Sequence, residues 1–169
     1  MRLRNYLTEE VKPFIVIKTP QQCDEIELDN FVEMIEEQDE AGSISERDIK
    51  KYGAFLAFAY IDGDLASVSS IKKPYRAEIF EYADVPDDID PDDYPYELGW
   101  SYTKPEYQRK GLNYKLWLEL EKKIKGKGIF ATARVYNKAS LATLKKKGFK
   151  IIGEPVNMSV FDIHLLIRR

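Results

Sequence analysis

The sequence predicts an α/β fold in a single domain spanning residues 1–169, and three stretches carry that expectation. Tyr94 to Leu120 changes from a period of two to a period near four, the mark of a strand running through a loop into a helix. Ala54 to Ile71 holds two β-rich runs around Asp62-Gly63, a strong hairpin signal. From Ile129 to Ile167, strand-like runs flank one helical stripe.

In chain order, Phe14 to Lys18 reads as a first strand. Asp24 is placed to cap a helix over residues 25–40, with Ile26, Phe31, Met34 and Ile35 as its apolar stripe and Gly42-Ser43 as its stop. A short helix follows from Ser45 to Tyr52, with Ser45 and Asp48 at the two capping-box positions. After the hairpin, Arg76 to Ala83 reads as a helical turn. Residues 84–93 hold six aspartates and two prolines, which exclude a helix or strand there. That loop is either a solvated connection or an attractor for a cationic amine.

In the central stretch, Tyr96, Leu98, Trp100 and Tyr102 alternate with Glu97, Gly99 and Ser101, predicting a strand with one aromatic face. Lys104-Pro105 breaks it. Leu112, Leu116, Leu120 and Ile124, widened by Trp117, predict the buried stripe of a helix. Between them lies Gln108-Arg109-Lys110-Gly111-Leu112-Asn113. Unpaired N–H groups at a helix N-terminus, reinforced by the helix dipole, bind phosphate, and a glycine there permits close approach. Arg109 and Lys110 add positive charge. Ile129 to Val135 is then a strand, and Asn137 to Lys147 a helix burying Leu141 and Leu144. A strand begins at Phe149, Gly153-Glu154-Pro155 reads as a turn, and Asn157 to Ile167 is the last strand.

Composition narrows the function classes. Apolar residues make up 44% and charged residues 33%, as in ordinary soluble domains. A single cysteine, Cys23, excludes an internal disulfide, and a single histidine, His164, leaves no His-based triad or zinc cluster. Without an apolar leader or a long apolar run, the expected location is cytoplasmic. Residues 1–95 hold 10 Lys+Arg and 23 Asp+Glu, whereas residues 96–169 hold 16 and 6. A basic half suits nucleic acid, a membrane or a phosphorylated cofactor, and the phosphate loop favours the cofactor.

These residues carry a family resemblance. The run ELGWSYTKPEYQRKG, with Gln108, Gly111 and Asn113 at the fixed positions of Gln/Arg-x-x-Gly-x-Gly/Ala, resembles the signature of the GNAT superfamily of acetyl-CoA-dependent N-acetyltransferases. Asn113 departs from Gly or Ala, compatibly with phosphate binding, since Asn tolerates left-handed backbone and its side chain can donate. A second block, Asn137, Ala139-Ser140 and Gly148-Phe149, sits at matching spacing, so the resemblance covers about residues 54–152. It implies a mixed, mostly antiparallel sheet of six or seven strands with about four helices.

It also implies acetyl transfer from acetyl-CoA to an amine, with no metal. The cofactor-binding residues would be Gly99, Trp100, Ser101 and Tyr102 on the strand, Gln108, Arg109, Lys110, Gly111, Leu112 and Asn113 in the loop, and Asn137. Glu97, eleven residues before Gln108, is the candidate base, with a surface strand glutamate as the competing reading. The family's usual tyrosine acid position holds Leu144, which cannot donate a proton, so Tyr136 becomes the candidate acid. His164 reads as a packing or surface residue. Expected partners are acetyl-CoA and a small-molecule, peptide or protein amine, with a homodimer left open and no membrane. The competing functions are a CoA-binding module without transferase activity, and a nucleic-acid-binding or -modifying protein, disfavoured by the acidic N-terminal half.

Overall fold

The computed structural model describes residues 12–38, 43–74 and 77–169. Seven strands form one sheet in the order β1-β2-β3-β4-β5-β7-β6. They are β1 (Phe14–Lys18), β2 (Gly53–Ile61), β3 (Asp64–Lys72), β4 (Tyr96–Thr103), β5 (Ile129–Arg134), β6 (Lys150–Asn157) and β7 (Asp162–Arg168). Every pairing is antiparallel except β4 with β5. Five α-helices are present among the described residues: α1 (Glu25–Glu36), α2 (Glu46–Tyr52), α3 (Ala77–Tyr82), α4 (Leu112–Ile124) and α5 (Lys138–Lys146).

Local chemistry sets most of these boundaries. Asp24 accepts from the Glu27 N–H and Glu27 reaches back to the Asp24 N–H, a reciprocal cap that starts α1. Ser45 and Asp48 do the same for α2. The β2–β3 turn puts Asp62 at φ 51° and Gly63 at φ 89°, the double left-handed geometry that Asp-Gly favours. Leu112, Leu116, Trp117, Leu120 and Ile124 of α4 are all buried against one sheet face, with Trp117 packed on Phe149 at 5.6 Å. On the other face, α1 and α2 cover β1–β4, while α3 and the acidic loop cover β5, β7 and β6 around Phe80, Tyr94 and Phe130.

Four expectations need correction. Helix α1 ends at Glu36, because its buried set (Leu28, Phe31, Met34, Ile35) ends there, and Ile26 is 71% exposed rather than part of the stripe. The expected stop at Gly42 and the start at Arg76 lie outside the described residues. Pro91–Asp93 forms one 3-10 turn, with Pro91 at its first position and the Asp90 carboxylate accepting from the Asp92 N–H. Finally, β6 runs straight through Gly153-Glu154-Pro155, which forms a bulge rather than a turn. Gly153 adopts φ 65°, and the Glu154 N–H leaves the ladder to donate to the Ala83 carbonyl at 2.6 Å. The chain reverses later, at residues 158–161, where Ser159 is left-handed.

Candidate active site

Strands β4 and β5 are parallel and pair at Tyr96–Ile129 and Glu97–Phe130, then diverge. A cleft of about 750 Å³ opens where they part. Leu98 to Thr103 form one wall and Ala131 to Arg134 the other, while Gln108 and Asn113 approach from the α4 end and Asn137, Leu144 and Lys147 from α5.

The β4 wall is shaped by a bulge that breaks the expected alternation. Val68 pairs with Tyr102 and Ser70 with Gly99, so Ser69 faces two residues, Trp100 and Ser101. Trp100 sits at φ 44°, a strained state costing roughly 1–3 kcal/mol for a bulky residue. Tyr96 and Leu98 therefore pack with α4, whereas Trp100 and Tyr102 cross to the α1 side, and the single aromatic face does not exist. Three buried serines of β3 hold the bulge. Ser70 Oγ donates to the Gly99 carbonyl at 2.7 Å, the Ser69 and Ser101 hydroxyls bond at 2.6 Å, and Ser67 Oγ donates to the Tyr102 carbonyl at 3.0 Å. Gln38, beyond the end of α1, donates to the Ser101 carbonyl at 3.2 Å.

Glu97 lines the cleft, with Oε1 3.0 Å from Lys72 Nζ and the two side chains 13% and 15% exposed. Lys72 reaches it by crossing over Gly99, where a Cβ would lie 2.7 Å from Lys72 Cε, and its ammonium stands 5.1 Å from the Trp100 ring centre. An oppositely charged pair this dry is a built feature of the wall rather than a solvated surface contact.

Ahead of α4 the chain makes a 3-10 turn at Pro105–Tyr107, and Gln108 Nε2 donates back to the Thr103 carbonyl at 3.1 Å. Arg109 at φ 61° and Gly111 at φ 72° are both left-handed. Gly111 caps α4 without a side chain, and a Cβ there would meet nothing within 4 Å, so the helix N-terminus opens onto free space. The exposed cations Arg109 and Lys110 flank it.

Asn137 caps α5, its side chain accepting from the Ser140 N–H at 2.9 Å, and it faces the cleft. Tyr136 is 60% exposed, is not one of the cleft-lining residues, and accepts from Arg134 Nη1 at 2.7 Å. Arg134 does line the cleft, its guanidinium 4.1 Å from the Phe161 ring centre. Leu144 is buried in the α5 wall, and His164 on β7 has a buried Nδ1 without a hydrogen-bond partner.

The structure thus brings Glu97, Gly99 to Tyr102, Gln108, Asn113 and Asn137 around one cleft, leaves Arg109 to Leu112 at the loop beside it, and sets Tyr136 outside the lining. Sequence reasoning missed Lys72, Lys147, Arg134, Gln38 and the β3 serines. Only the serines left a signal, three hydroxyls within one β-rich run of the expected hairpin.

Residues 21–149 match the profile of the Acetyltransferase (GNAT) family. The chain belongs to that family. Solved structures of similar fold include an acyl-CoA N-acyltransferase from Pseudomonas aeruginosa, with TM-score 0.67 at 14% identity, covering 94% of this chain and 100% of that one. NAA60 of Arabidopsis thaliana in complex with acetyl-CoA gives 0.65 at 15%, covering 92% and 98%. The structure of yncA from Salmonella typhimurium with its cofactor acetyl-CoA gives 0.61 at 17%, covering 94% of each. These likenesses establish the GNAT fold. No curated protein matches the chain in sequence. Among the described residues, no helix of this GNAT protein is long and apolar enough to cross a membrane.

Proposed function

We propose that this GNAT protein transfers the acetyl group of acetyl-CoA to a primary amine. The observation that carries the reading is the parted β4–β5 pair, with a strained bulge on one wall and an open, basic helix N-terminus at its end. Acetyl-CoA supplies an activated acyl group and a thiolate leaving group. The Arg109–Asn113 loop and the α4 N-terminus would hold its diphosphate. Past Glu97, β4 has left β5, so its bulged backbone from Gly99 to Tyr102 faces the cleft where a pantetheine arm and a thioester carbonyl would lie.

Glu97 is the proton acceptor in this reading. The amine nitrogen bonds the acyl carbon, the carbon–sulfur bond breaks, and the proton lost by nitrogen passes through Glu97 or water to the sulfur. Leu144 cannot return that proton, and Tyr136 is not among the cleft-lining residues, so water protonates the thiolate. The acceptor side lies on the face of α1 and the acidic loop, where Glu97 and Lys72 meet. The test is a panel of amines (polyamines, amino acids, aminoglycosides, peptides) scored by acetyl-CoA-dependent thiol release. Turnover with at least one amine supports the reading.

A second reading, a CoA-binding module without transferase activity, draws on two observations: Leu144 at the acid position and Glu97 already engaged by Lys72. Tight acetyl-CoA binding with no turnover of any amine favours it.

A further inference from the structure

Lys147 follows the last turn of α5 and is 5% exposed. Its Nζ donates to Asn113 Oδ1 at 2.5 Å, and both residues line the cleft. Asn113 is the second residue of α4, so a buried ammonium lies against the positive end of a helix dipole. Among the described residues, no carboxylate pairs with it. The charges on the surrounding elements are committed elsewhere or are themselves cations: Arg168 of β7, against Gly148, pairs with Glu121 of α4; Lys146 lies over the Tyr114 ring; Arg109 and Lys110 flank the loop. Burial alone pushes the Lys147 ammonium down to about 8. A desolvated cation facing a helix N-terminus, with one neutral amide oxygen as its partner, is electrostatically unfavourable until an anion joins it.

We propose that Lys147, held in place by Asn113, is a ligand of the acetyl-CoA diphosphate, delivered from α5 across the cleft rather than from the phosphate loop. The inference rests on the reading that acetyl-CoA occupies this cleft with its phosphates at the α4 N-terminus. It gives Asn113 a role that Gly or Ala cannot fill, because only a side-chain carbonyl can hold the ammonium there. It also predicts proton linkage. The free protein carries Lys147 mostly neutral at pH 9, and a bound dianion restores the ammonium, so binding takes up a proton. The 3′-phosphate of acetyl-CoA titrates near pH 6 and the acylated sulfur not at all, so neither contributes at pH 9.

The experiment is calorimetry of acetyl-CoA binding at pH 9 in two buffers of different ionisation enthalpy, on wild type, Lys147→Met and Gly111→Asp. A parallel turnover assay uses S-acetylpantetheine, which lacks the diphosphate. The expected result is net proton uptake in wild type at pH 9, from a group that burial holds near 8 in the free protein. Lys147→Met should lose that uptake and bind acetyl-CoA about ten- to a hundredfold more weakly, as for a charge-assisted hydrogen bond, with S-acetylpantetheine turnover unchanged. Four results overturn the proposal. Equal losses with both acyl donors would make Lys147 a thiolate acid or a packing residue. Unchanged acetyl-CoA affinity in Lys147→Met, with affinity lost in Gly111→Asp, would remove Lys147 while leaving the cleft reading intact. Unchanged affinity in both would remove the cleft reading as well. The wild-type uptake needs no variant, so its absence counts against the proposal even where Lys147→Met fails to fold.

Discussion

Glu97→Gln separates the proton-acceptor role proposed for Glu97 from its observed role as counter-charge to Lys72. The amide keeps the size and an oxygen for Lys72, 3.0 Å away, but it carries no charge and accepts no proton. Breaking a fully buried pair costs about 3–5 kcal/mol; with a hydrogen bond retained and some exposure of both groups, we expect about 1–2 kcal/mol here. In a chain of this size that lowers Tm by about 2–8 °C. Turnover at 20 °C should fall about a hundredfold, within the usual range for a general base, with acetyl-CoA affinity nearly unchanged. The pair also supplies a control. Glu97→Gln combined with Lys72→Met removes the orphaned ammonium and should recover Tm without recovering turnover. The measurements are thermal melts, acetyl-CoA calorimetry and steady-state thiol release on the single and double variants. Turnover that returns together with Tm in the double variant would show that Glu97 matters only as the partner of Lys72, and the base assignment would be wrong.

Three further outcomes follow from the geometry. Tyr136 is not among the cleft-lining residues, so Tyr136→Phe, which loses the bond from Arg134, should lower turnover less than about tenfold; a thousandfold loss with intact acetyl-CoA binding would make Tyr136 the acid. Neutralising the exposed Asp87 and Asp88 should raise the KM of a cationic acceptor at low salt, an effect that fades as the screening length shrinks from about 10 Å at 0.1 M to about 3 Å at 1 M; an unchanged KM at low salt returns the loop to a solvated connection. Gly153→Ala would place a Cβ 2.1 Å from the Ala83 carbonyl at φ 65°, so Tm should drop by at least about 4 °C, for roughly 2 kcal/mol, with acetyl-CoA binding intact; an unchanged Tm would mean the bulge is not held as described.

What the sequence revealed depended on how local the deciding physics is. The caps at Asp24 and Ser45, the Asp62-Gly63 turn and the α4 stripe are settled within a few residues, and the structure has them where the pattern puts them. The bulge at Trp100 is not local. Its alternation reads as unbroken until Ser67, Ser69 and Ser70 on the neighbouring strand fix the shifted register. Gly153-Glu154-Pro155 has the composition of a turn, and only the Ala83 carbonyl, seventy residues earlier, turns it into a bulge. In the site, a short motif marks the loop proposed to hold the diphosphate. Lys72 and Lys147 leave no trace in a lysine-rich chain, because burial of a lysine is decided by what packs over it, here Gly99 with Trp100 and α4 with α5. Leu144 was legible as a departure because the family spacing assigns that position a tyrosine.

The central claim is that the Arg109–Asn113 loop and the α4 N-terminus hold acetyl-CoA, and calorimetry of Gly111→Asp tests it most directly. Gly111 is left-handed at φ 72°, so any side chain there adds strain of about 1–2 kcal/mol, but aspartate visits that backbone more readily than most residues and its Cβ would meet nothing within 4 Å, so the variant should fold. Its carboxylate would stand where the diphosphate is placed. At about 5 Å and an effective dielectric near 20, each like-charge contact is worth about 3 kcal/mol. Acetyl-CoA affinity should therefore fall at least about a hundredfold, since each 1.4 kcal/mol is a factor of ten. A folded Gly111→Asp protein that binds acetyl-CoA as tightly as wild type would contradict the account.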